Sequence, residues 1–352
     1  MARKYINVQG RRIGEGEPPF VIAEAGVNHN GRLDLALLLI DAAADAGADA
    51  VKFHTWKAEQ VVTGAGVMAG YQKQNTGKDE SQLAMLRPLA LQESWYPKLI
   101  ARAKKRGIII FSAPHGHTAS VDVMEHWKFP AFKIASGDLT NLPLLTYVAK
   151  KGKPILISTG MGTLAEVKEA VRTVQHAGNN SILVFQCTTD YPLAPEDANL
   201  RVIETFQKEL RVLVGYSDHT QGDEAAITAV TLGAVAVEKH LTLDRTMQGP
   251  DHIASMEPKE FASMVQKVKR VPILLGSPLK RPCAKEKQYM PIARKSVVAS
   301  RDIARGEKLT LENLTIKRPG TGIAPKQLPE LMGKYAVQTI GADTLLTKRM
   351  FR

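Results

Sequence analysis

The sequence has little cysteine and no long apolar stretch. Cys187 and Cys283 are its two cysteines in 352 residues, too few for a disulfide framework or a thiolate zinc site. We interpret both as packing thiols of a protein in a reducing compartment. No apolar run approaches the roughly 18 residues that a membrane span needs, and the first ten residues lack an apolar signal core. We therefore expect a cytoplasmic protein with no membrane partner.

Aromatic residues are also scarce, at 6% of the chain, and no run of five or six like charges occurs. The net charge of +12 is concentrated near the end. From Arg281 onward 15 Lys and Arg stand against 6 Asp and Glu, which leaves an excess of 3 positive charges on the first 280 residues. A stacking platform for bases is not expected, so we predict no nucleic-acid partner. A basic binding module is the alternative, but an anionic small substrate explains the charge equally well.

Eight short apolar runs recur along the first 240 residues. Their starts are 22 to 30 residues apart, except for one interval of 58, which is the period of a strand followed by a crossover helix. Their near-continuous apolar character is typical of parallel strands buried on both faces. The runs are Phe20–Glu24, Ala50–His54, Ile108–Ser112, Ala131–Ala135, Pro154–Ser158, Ile182–Gln186, Val212–Tyr216 and Ala234–Glu238.

Alanine-rich helical patterns lie between these runs, at 34–46, 164–175 and 224–232, and a last one spans 258–275. Eight such units, with no Gly-x-Gly-x-x-Gly after the first strand, favour a closed (β/α)8 TIM barrel over an open doubly wound sheet. The long interval holds a polar, Gly-rich insertion at 57–92. We expect it to lie over the mouth of the barrel.

The chain is predicted to divide into a catalytic barrel at 1–276, a linker at 277–290 and a small β-rich domain at 291–352. The stretch from Gly276 to Lys287 carries Pro278, Pro282 and basic residues without periodicity, which is typical of a linker. Beyond it, the patterns at 296–299, 313–316 and 335–338 predict short strands.

Polar residues close most of the eight runs, and catalytic groups of barrels come from these strand ends. His219 and His240 lie just after the last two runs, at the ends of adjacent strands, so their imidazoles can converge and leave positions open on a divalent metal. Two structural histidines are the alternative. The candidates of the first seven strands are Glu24, Lys52, His54, Lys133, Ser136, Asp138, Ser158, Thr189, Tyr191 and Ser217.

Lys52 and Lys133, with nearby serine hydroxyls, form a candidate cradle for a phosphate or carboxylate. Two unpaired buried ammonium groups are costly, which favours a bound anion. A Schiff-base lysine, as in an aldolase that uses free pyruvate, is an alternative from another enzyme class. Glu24 could instead pair with one of the lysines in a structural role.

Several segments resemble the motif set of the sialic acid synthase family, in the same order. In the barrel region they are 22–31 (IAEAGVNHNG), 51–55 (VKFHT), 133–137 (KIASG), 157–161 (ISTGM), 215–220 (GYSDHT) and 238–242 (EKHLT). The tail segments 302–306 (DIARG) and 316–323 (IKRPGTGI) are similar to the family's C-terminal antifreeze-like (SAF) domain. The resemblance covers essentially the whole chain.

The resemblance implies condensation of phosphoenolpyruvate with an N-acetylated mannose-type sugar, giving a nine-carbon 2-keto acid and phosphate by C–O cleavage. It implies that His219 and His240 hold manganese, with magnesium or cobalt as alternatives. It also implies that Glu24 handles a proton. Lys52, Lys133, Ser136, Ser158 and Ser217 would clamp phosphoenolpyruvate.

The sugar would meet Asp138, Tyr191 and Asp251, and His54 and Thr189 lie at positions assigned to the same pocket. Arg318 would reach from the tail of one subunit into the barrel of its partner, which implies a domain-swapped homodimer. His54 stands where many relatives carry glutamine, and Asp138 replaces a glutamate. The segment 71–81 resembles the neuraminate and legionaminate branch more than the pseudaminate branch. The acceptor is therefore expected to be N-acetylmannosamine or a 2,4-diacetamido-2,4,6-trideoxy relative.

Overall fold

The structure is a computed structural model and describes residues 5–115 and 117–352. The chain divides into two compact units, one ending at Gly276 and one spanning Ser277–Arg352. The first unit opens with an antiparallel hairpin of β1 (Tyr5–Val8) and β2 (Arg11–Gly14).

Eight parallel strands then close into a barrel in the order β10-β3-β4-β5-β6-β7-β8-β9. The strands are β3 (Phe20–Gly26), β4 (Ala50–Thr55), β5 (Ile109–Pro114), β6 (Phe132–Ile134), β7 (Ile155–Ser158), β8 (Ile182–Cys187), β9 (Leu213–Asp218) and β10 (Ala236–His240). Nearly all of their residues are buried, because interior side chains fill the barrel while helices cover its outside. The predicted TIM barrel is confirmed.

The helices of this unit follow the strands, with three short ones after β4. They are α1 (Leu33–Asp45), α2 (Ala58–Val61), α3 (Gly70–Thr76), α4 (Gln82–Leu86), α5 (Tyr96–Arg106), α6 (Thr118–His126), α7 (Leu142–Ala149), α8 (Leu164–His176), α9 (Val202–Leu210), α10 (Glu224–Thr231) and α11 (Pro258–Leu275). Local sequence sets their ends. Thr163 and Glu166, for example, form a capping box that satisfies the first backbone N–H groups of α8.

The insertion at 57–92 contains α2, α3 and α4, and it forms an apolar cluster together with residues that follow β3 and β4. Val27, Trp56, Met68, Met85 and Leu89 are among its buried members. The Asn75 side chain on α3 donates a 2.7 Å hydrogen bond to the carbonyl of Pro250 in the segment after β10. This hydrogen bond therefore links the insertion, which follows β4, to the segment that follows β10.

The second unit contains α12 (Ala284–Ala293), β11 (Ser296–Ala299), β12 (Leu314–Lys317) and α13 (Leu328–Leu331). Helix α12 occupies the second half of the predicted linker. Its residues are exposed apart from the half-buried Met290, so it carries no apolar face that a sequence pattern could reveal. The capping box of Cys283 and Glu286 starts it instead.

The strand predicted at 335–338 is wrong. Tyr335 and Ala336 form isolated bridges to Lys308 and Phe351 rather than a ladder. The strand predicted at 313–316 begins one residue later, because the Asn313 side chain accepts from Thr310 N and donates to the Lys308 carbonyl. Asn313 therefore organises the preceding turn.

Across the described residues, no helix is long and apolar enough to cross a membrane. Cys187 is a buried thiol and Cys283 an exposed one.

Candidate active site

Backbone pairing brings three strand ends together at one side of the barrel mouth. Glu24 of β3 is paired with His240 of β10 on one side and with Lys52 of β4 on the other. Because side chains alternate along a strand, Glu238 and His240 of β10 share a face. The pairing of β10, β3 and β4 therefore places Glu24, Lys52, Glu238 and His240 close together.

Two lysines and two glutamates form a buried ion cluster there. Lys133 Nζ donates to Glu238 Oε1 at 2.7 Å, and Lys52 Nζ lies 3.1 Å from the same oxygen. Lys52 also contacts Glu24 Oε2, and all four side chains are at most 5% exposed. The formal charges of the cluster cancel. The predicted lysines therefore converge, each with a carboxylate partner.

The pKa values of Lys52 and Glu238 in this cluster are shifted from their ordinary values. Burial lowers the pKa of Lys52 to about 7, although the Glu238 carboxylate opposes this shift. Burial by itself raises the pKa of Glu238, but the two lysines outweigh it and bring that pKa down to about 2. Glu238 is therefore ionised and pairs with both lysines.

His219 and His240 lie side by side next to this cluster, with ring centroids 5.4 Å apart. His219 Nδ1–H donates to the Thr188 carbonyl at 2.6 Å, which leaves Nε2 as a lone-pair donor. Burial lowers the pKa of His219 to about 4 and that of His240 well below its ordinary value. Both imidazoles are therefore neutral near pH 7.

Neutral imidazole nitrogens are the form that binds divalent transition metals. His240 Nδ1 is buried and has no hydrogen-bond partner in the described part of the chain. Within that same part, no group of three or more His, Cys, Asp or Glu side chains is arranged to hold a metal ion. The pair fits a site in which substrate and water complete the coordination.

The three predicted serines line the same cavity as the cluster. Ser217 Oγ lies 3.5 Å from Glu238 Oε1. Ser136 Oγ accepts from the backbone N–H of Gly160 at 3.0 Å. A Cβ at Gly160 would lie 2.7 Å from this oxygen, so glycine lets the end of β7 approach Ser136.

Tyr191 covers His219 from the segment after β8, with ring centroids 4.1 Å apart. Tyr71 of α3 stacks on Tyr191 at 5.0 Å, so the insertion meets the barrel mouth as expected. Burial raises the pKa of both phenols. Thr189 also lines the cavity, and its buried Oγ1 has no partner among the described residues.

His54 and His115 flank Glu24 on the side of β4 and β5. His54 Nε2 lies 2.9 Å from Glu24 Oε1, and His54 Nδ1 contacts His115 Nε2. Burial lowers the pKa of both rings, His115 to about 3. Gly26 has a φ of 49°, and a Cβ there would lie 2.8 Å from Glu24 Oε1.

The remaining predicted residues are Asp251, Asp138 and Arg318. Asp251 lines the cavity, and burial raises its pKa to about 6. Asp138 accepts a 3.0 Å hydrogen bond from Asn141 and is not among the described residues that line the cavity. Arg318 follows β12 in the second unit and is exposed.

Glu238 closes the eighth predicted run but was given no role there, and His115 was not predicted as a site residue. Glu238 lies two residues before His240 on a strand, which is a usable signal for a shared face. His115 comes directly after β5, which ends at Pro114, but the predicted run ended at Ser112, two residues too early.

The cavity that these residues line has a volume of about 330 Å³. Several of its buried polar atoms lack hydrogen-bond partners in the described residues: both oxygens of Glu24, Thr189 Oγ1, Glu238 Oε2 and His240 Nδ1. The Glu24 oxygens lie close to Lys52 and His54 without hydrogen-bond alignment. Unpaired buried polar atoms in a cavity indicate a place for a polar ligand.

A closed parallel barrel with cations, carboxylates and imidazoles at its carboxyl strand ends defines the class of TIM-barrel enzymes. Residues 39–280 match the NeuB family, and residues 294–352 match the SAF domain. The chain belongs to the NeuB family, and its tail is a SAF domain.

Relatives of the chain make sialic acid and similar sugar acids. It is 42% identical to the N,N'-diacetyllegionaminic acid synthase of Campylobacter jejuni, over 93% of this chain and 98% of that one. It is 38% identical to the N-acetylneuraminate-9-phosphate synthase of Mus musculus, over 95% and 93%. The crystal structure of the N-acetylneuraminic acid synthetase of Leptospira borgpetersenii superimposes with a TM-score of 0.72 and 33% identity, covering 82% of this chain and 95% of that one.

Proposed function

We propose that the chain catalyses a metal-dependent condensation of phosphoenolpyruvate with an N-acetylated mannose-type sugar. The products are a nine-carbon 2-keto acid and phosphate. C3 of phosphoenolpyruvate bonds to the aldehyde carbon of the open-chain sugar, water adds at C2, and the bond between C2 and the phosphate oxygen breaks. The enzyme is a transferase of sialic acid biosynthesis.

One observation carries this proposal. Two neutral imidazoles, two lysines and two buried carboxylates line one cavity of about 330 Å³ at the strand ends, where Glu238 Oε2 and His240 Nδ1 have no hydrogen-bond partner among the described residues. An anionic enol ester and a carbonyl compound need these groups within one small volume. The names of the relatives agree with this reaction class.

Lys52 and Lys133 are the groups that hold phosphoenolpyruvate. Their charges are balanced by Glu24 and Glu238, so the cluster is pre-organised without a ligand. The hydroxyls of Ser136, Ser158 and Ser217 complete the cradle as short donors to phosphate and carboxylate oxygens.

His219 and His240 hold a divalent cation, with manganese as the expected metal and magnesium or cobalt as alternatives. The unpartnered Nδ1 of His240 and the Nε2 of His219, which carries the lone pair because Nδ1–H donates to Thr188, are the nitrogens that fit it. When bound, the cation supplies Lewis-acid polarisation of the sugar aldehyde.

Glu24 moves the proton in this proposal. Its carboxylate is buried between Lys52 and His54, and it accepts a proton from the water that adds at C2.

Tyr191, Asp251, His54 and Thr189 line the part of the cavity that receives the sugar. Asp138 remains a predicted sugar contact, and the residue before it in the chain, Gly137, lines the cavity. Arg318 is proposed to reach the barrel of a partner subunit, so that the working unit is a homodimer.

The test is an assay with phosphoenolpyruvate, Mn²⁺ and a panel of 2-acetamido sugars, in which released phosphate is measured. Phosphate release that depends on both sugar and metal, with a nine-carbon keto acid in equal amount, supports the proposal. Sugar-independent release, or full activity after chelation, contradicts it.

A Schiff-base aldolase that uses pyruvate is the second candidate, because burial lowers the pKa of Lys52 to about 7. A lysine that is partly neutral near pH 7 can attack a carbonyl. Borohydride reduction in the presence of pyruvate separates the two: a covalent adduct on Lys52 or Lys133 favours the aldolase. The absence of an adduct in an enzyme active with phosphoenolpyruvate favours the condensation.

A further inference from the structure

Each of the two proposed metal ligands is preceded by a charged residue that faces the other way. Asp218 of β9 precedes His219, and Lys239 of β10 precedes His240. Because side chains alternate along a strand, Asp218 and Lys239 point away from the cavity, and neither is among the described residues that line it. Helix α10 packs against both strands on this outer side of the barrel.

Asp218 and Lys239 form a buried ion pair across the two strands. They are direct partners in the parallel register, and Lys239 Nζ donates to Asp218 Oδ2 at 2.7 Å. The Lys239 side chain is 1% exposed and the Asp218 side chain 0%. The pair therefore ties β9 to β10 next to both histidines, on the side away from the cavity.

The same two side chains fix the backbone on both sides of His219. Asp218 Oδ1 accepts from the backbone N–H of Thr220 at 2.9 Å and from its hydroxyl at 2.8 Å. Lys239 Nζ also donates to the Thr220 carbonyl at 2.6 Å. His219 thus lies in a short turn whose first and last residues are both held by the ion pair.

Stability alone does not require a buried ion pair at this place. Taking two charges out of water costs free energy, and well-packed neutral replacements of such pairs are often equally stable. A fully hydrogen-bonded polar network does supply rigidity. Here it fixes β9 relative to β10, and the 5.4 Å separation of the His219 and His240 ring centroids depends on that arrangement.

We propose that Asp218 and Lys239 are positioning residues for the two metal-ligating imidazoles. The inference rests on the proposed function, because it takes His219 and His240 to share a cation. The Thr188 carbonyl orients the His219 ring directly, whereas His240 Nδ1 has no partner among the described residues. The position of the His240 ring therefore depends on its backbone, which Lys239 holds.

The test measures Mn²⁺ affinity by calorimetry on the metal-free protein and stability by urea titration. The variant combines Asp218→Asn with Lys239→Met. It removes the tie between the strands without leaving a buried charge, and it keeps a side-chain oxygen at position 218 for the Thr220 N–H. We expect Mn²⁺ to bind at least about tenfold more weakly, with the KM for phosphoenolpyruvate at saturating Mn²⁺ close to that of the parent. A merely structural pair lowers the urea midpoint and leaves Mn²⁺ affinity unchanged, and this result overturns the proposal.

Glu125→Gln combined with Lys153→Met is the matched control. This ion pair joins α6 to the residue two positions before β7, and neither of its residues is among the described ones that line the cavity. The control variant should bind Mn²⁺ as the parent does. Equal weakening in the two double variants overturns the positioning role.

Thr220→Val gives the same test should the Asp218 and Lys239 double variant not fold. It removes the hydroxyl that donates to Asp218 and keeps the branched shape of the side chain. We expect Mn²⁺ affinity to fall at least about threefold, and unchanged affinity overturns the proposal.

The parent protein separates this inference from the function on which it rests. A parent that binds no Mn²⁺ contradicts the metal-dependent condensation itself. A parent that binds Mn²⁺, with variants that bind it equally well, contradicts the positioning role of Asp218 and Lys239 and leaves the condensation in place.

Discussion

Lys133 donates a 2.7 Å hydrogen bond to Glu238, and both side chains are buried. Since Glu238 Oε1 also lies 3.1 Å from Lys52, one carboxylate oxygen serves two ammonium groups. The pair therefore links the anion site of the proposed reaction to the stability of the barrel.

Glu238→Gln removes the charge that both lysines share. Breaking a buried ion pair from one side costs about 3–5 kcal/mol, because it leaves an uncompensated charge. We expect a loss of that order in the free energy of unfolding, measured by urea titration. Glu209, in an exposed pair with Lys168 at 2.9 Å, supplies the control. Glu209→Gln should leave the midpoint nearly unchanged, and an equal shift in both variants contradicts the role of Glu238.

His240→Ala removes one of the two proposed metal ligands. We expect turnover to be abolished and Mn²⁺ affinity, measured by calorimetry, to fall at least about tenfold, while circular dichroism shows a folded barrel. His176→Ala, an exposed histidine at the end of α8, is the control and should bind Mn²⁺ normally. Unchanged Mn²⁺ binding by His240→Ala would remove the basis of the metal site.

Arg318→Ala tests the predicted reach of the tail into a partner barrel. We expect the KM for the sugar to rise about tenfold or more, since a charge-assisted hydrogen bond is lost, while the KM for phosphoenolpyruvate changes little. Arg305→Ala, another exposed arginine of the tail, serves as the comparison. If sugar KM and turnover of Arg318→Ala match those of the parent, the cross-subunit contact is refuted.

The raised pKa of Asp251 predicts how the free energy of unfolding depends on pH. Burial raises its pKa from 3.8 to about 6, so the folded state holds a proton that the unfolded state has released. The stabilisation of the folded state by protonated Asp251 is fully present below pH 3.8 and is lost as the pH rises through about 6. The difference in free energy of unfolding between the parent and Asp251→Asn should therefore fall from about pH 4 to about pH 6 and then level off. A flat difference shows that the carboxyl is not buried in this way.

Much of the site could be read from strand ends. His219, His240, Lys52 and Lys133 were predicted to converge, and the barrel brings them to one cavity. Apolar runs of regular period mark parallel strands, and the fold then places every strand end on the same face. Glu238 shares a strand face with His240, but its role was not predicted, because the sequence does not show which lysines pair with it.

The tail was harder to predict than the barrel. Helix α12 arises from the cap at Cys283 and Glu286 rather than from a buried face, and Tyr335 and Ala336 form single bridges rather than a strand. Short elements with few buried residues carry a weak periodic signal. Their boundaries depend on contacts between distant segments.

The sequence by itself determined the eight-strand barrel, the order of the strand-end residues and the resemblance to a family, because these follow from local apolar periodicity and short motifs. The tertiary structure alone decided which charges neutralise each other, which buried atoms stay unpartnered, and that Asp218 and Lys239 pair behind the two histidines. These properties depend on distances between residues far apart in the chain, and no local pattern encodes such distances.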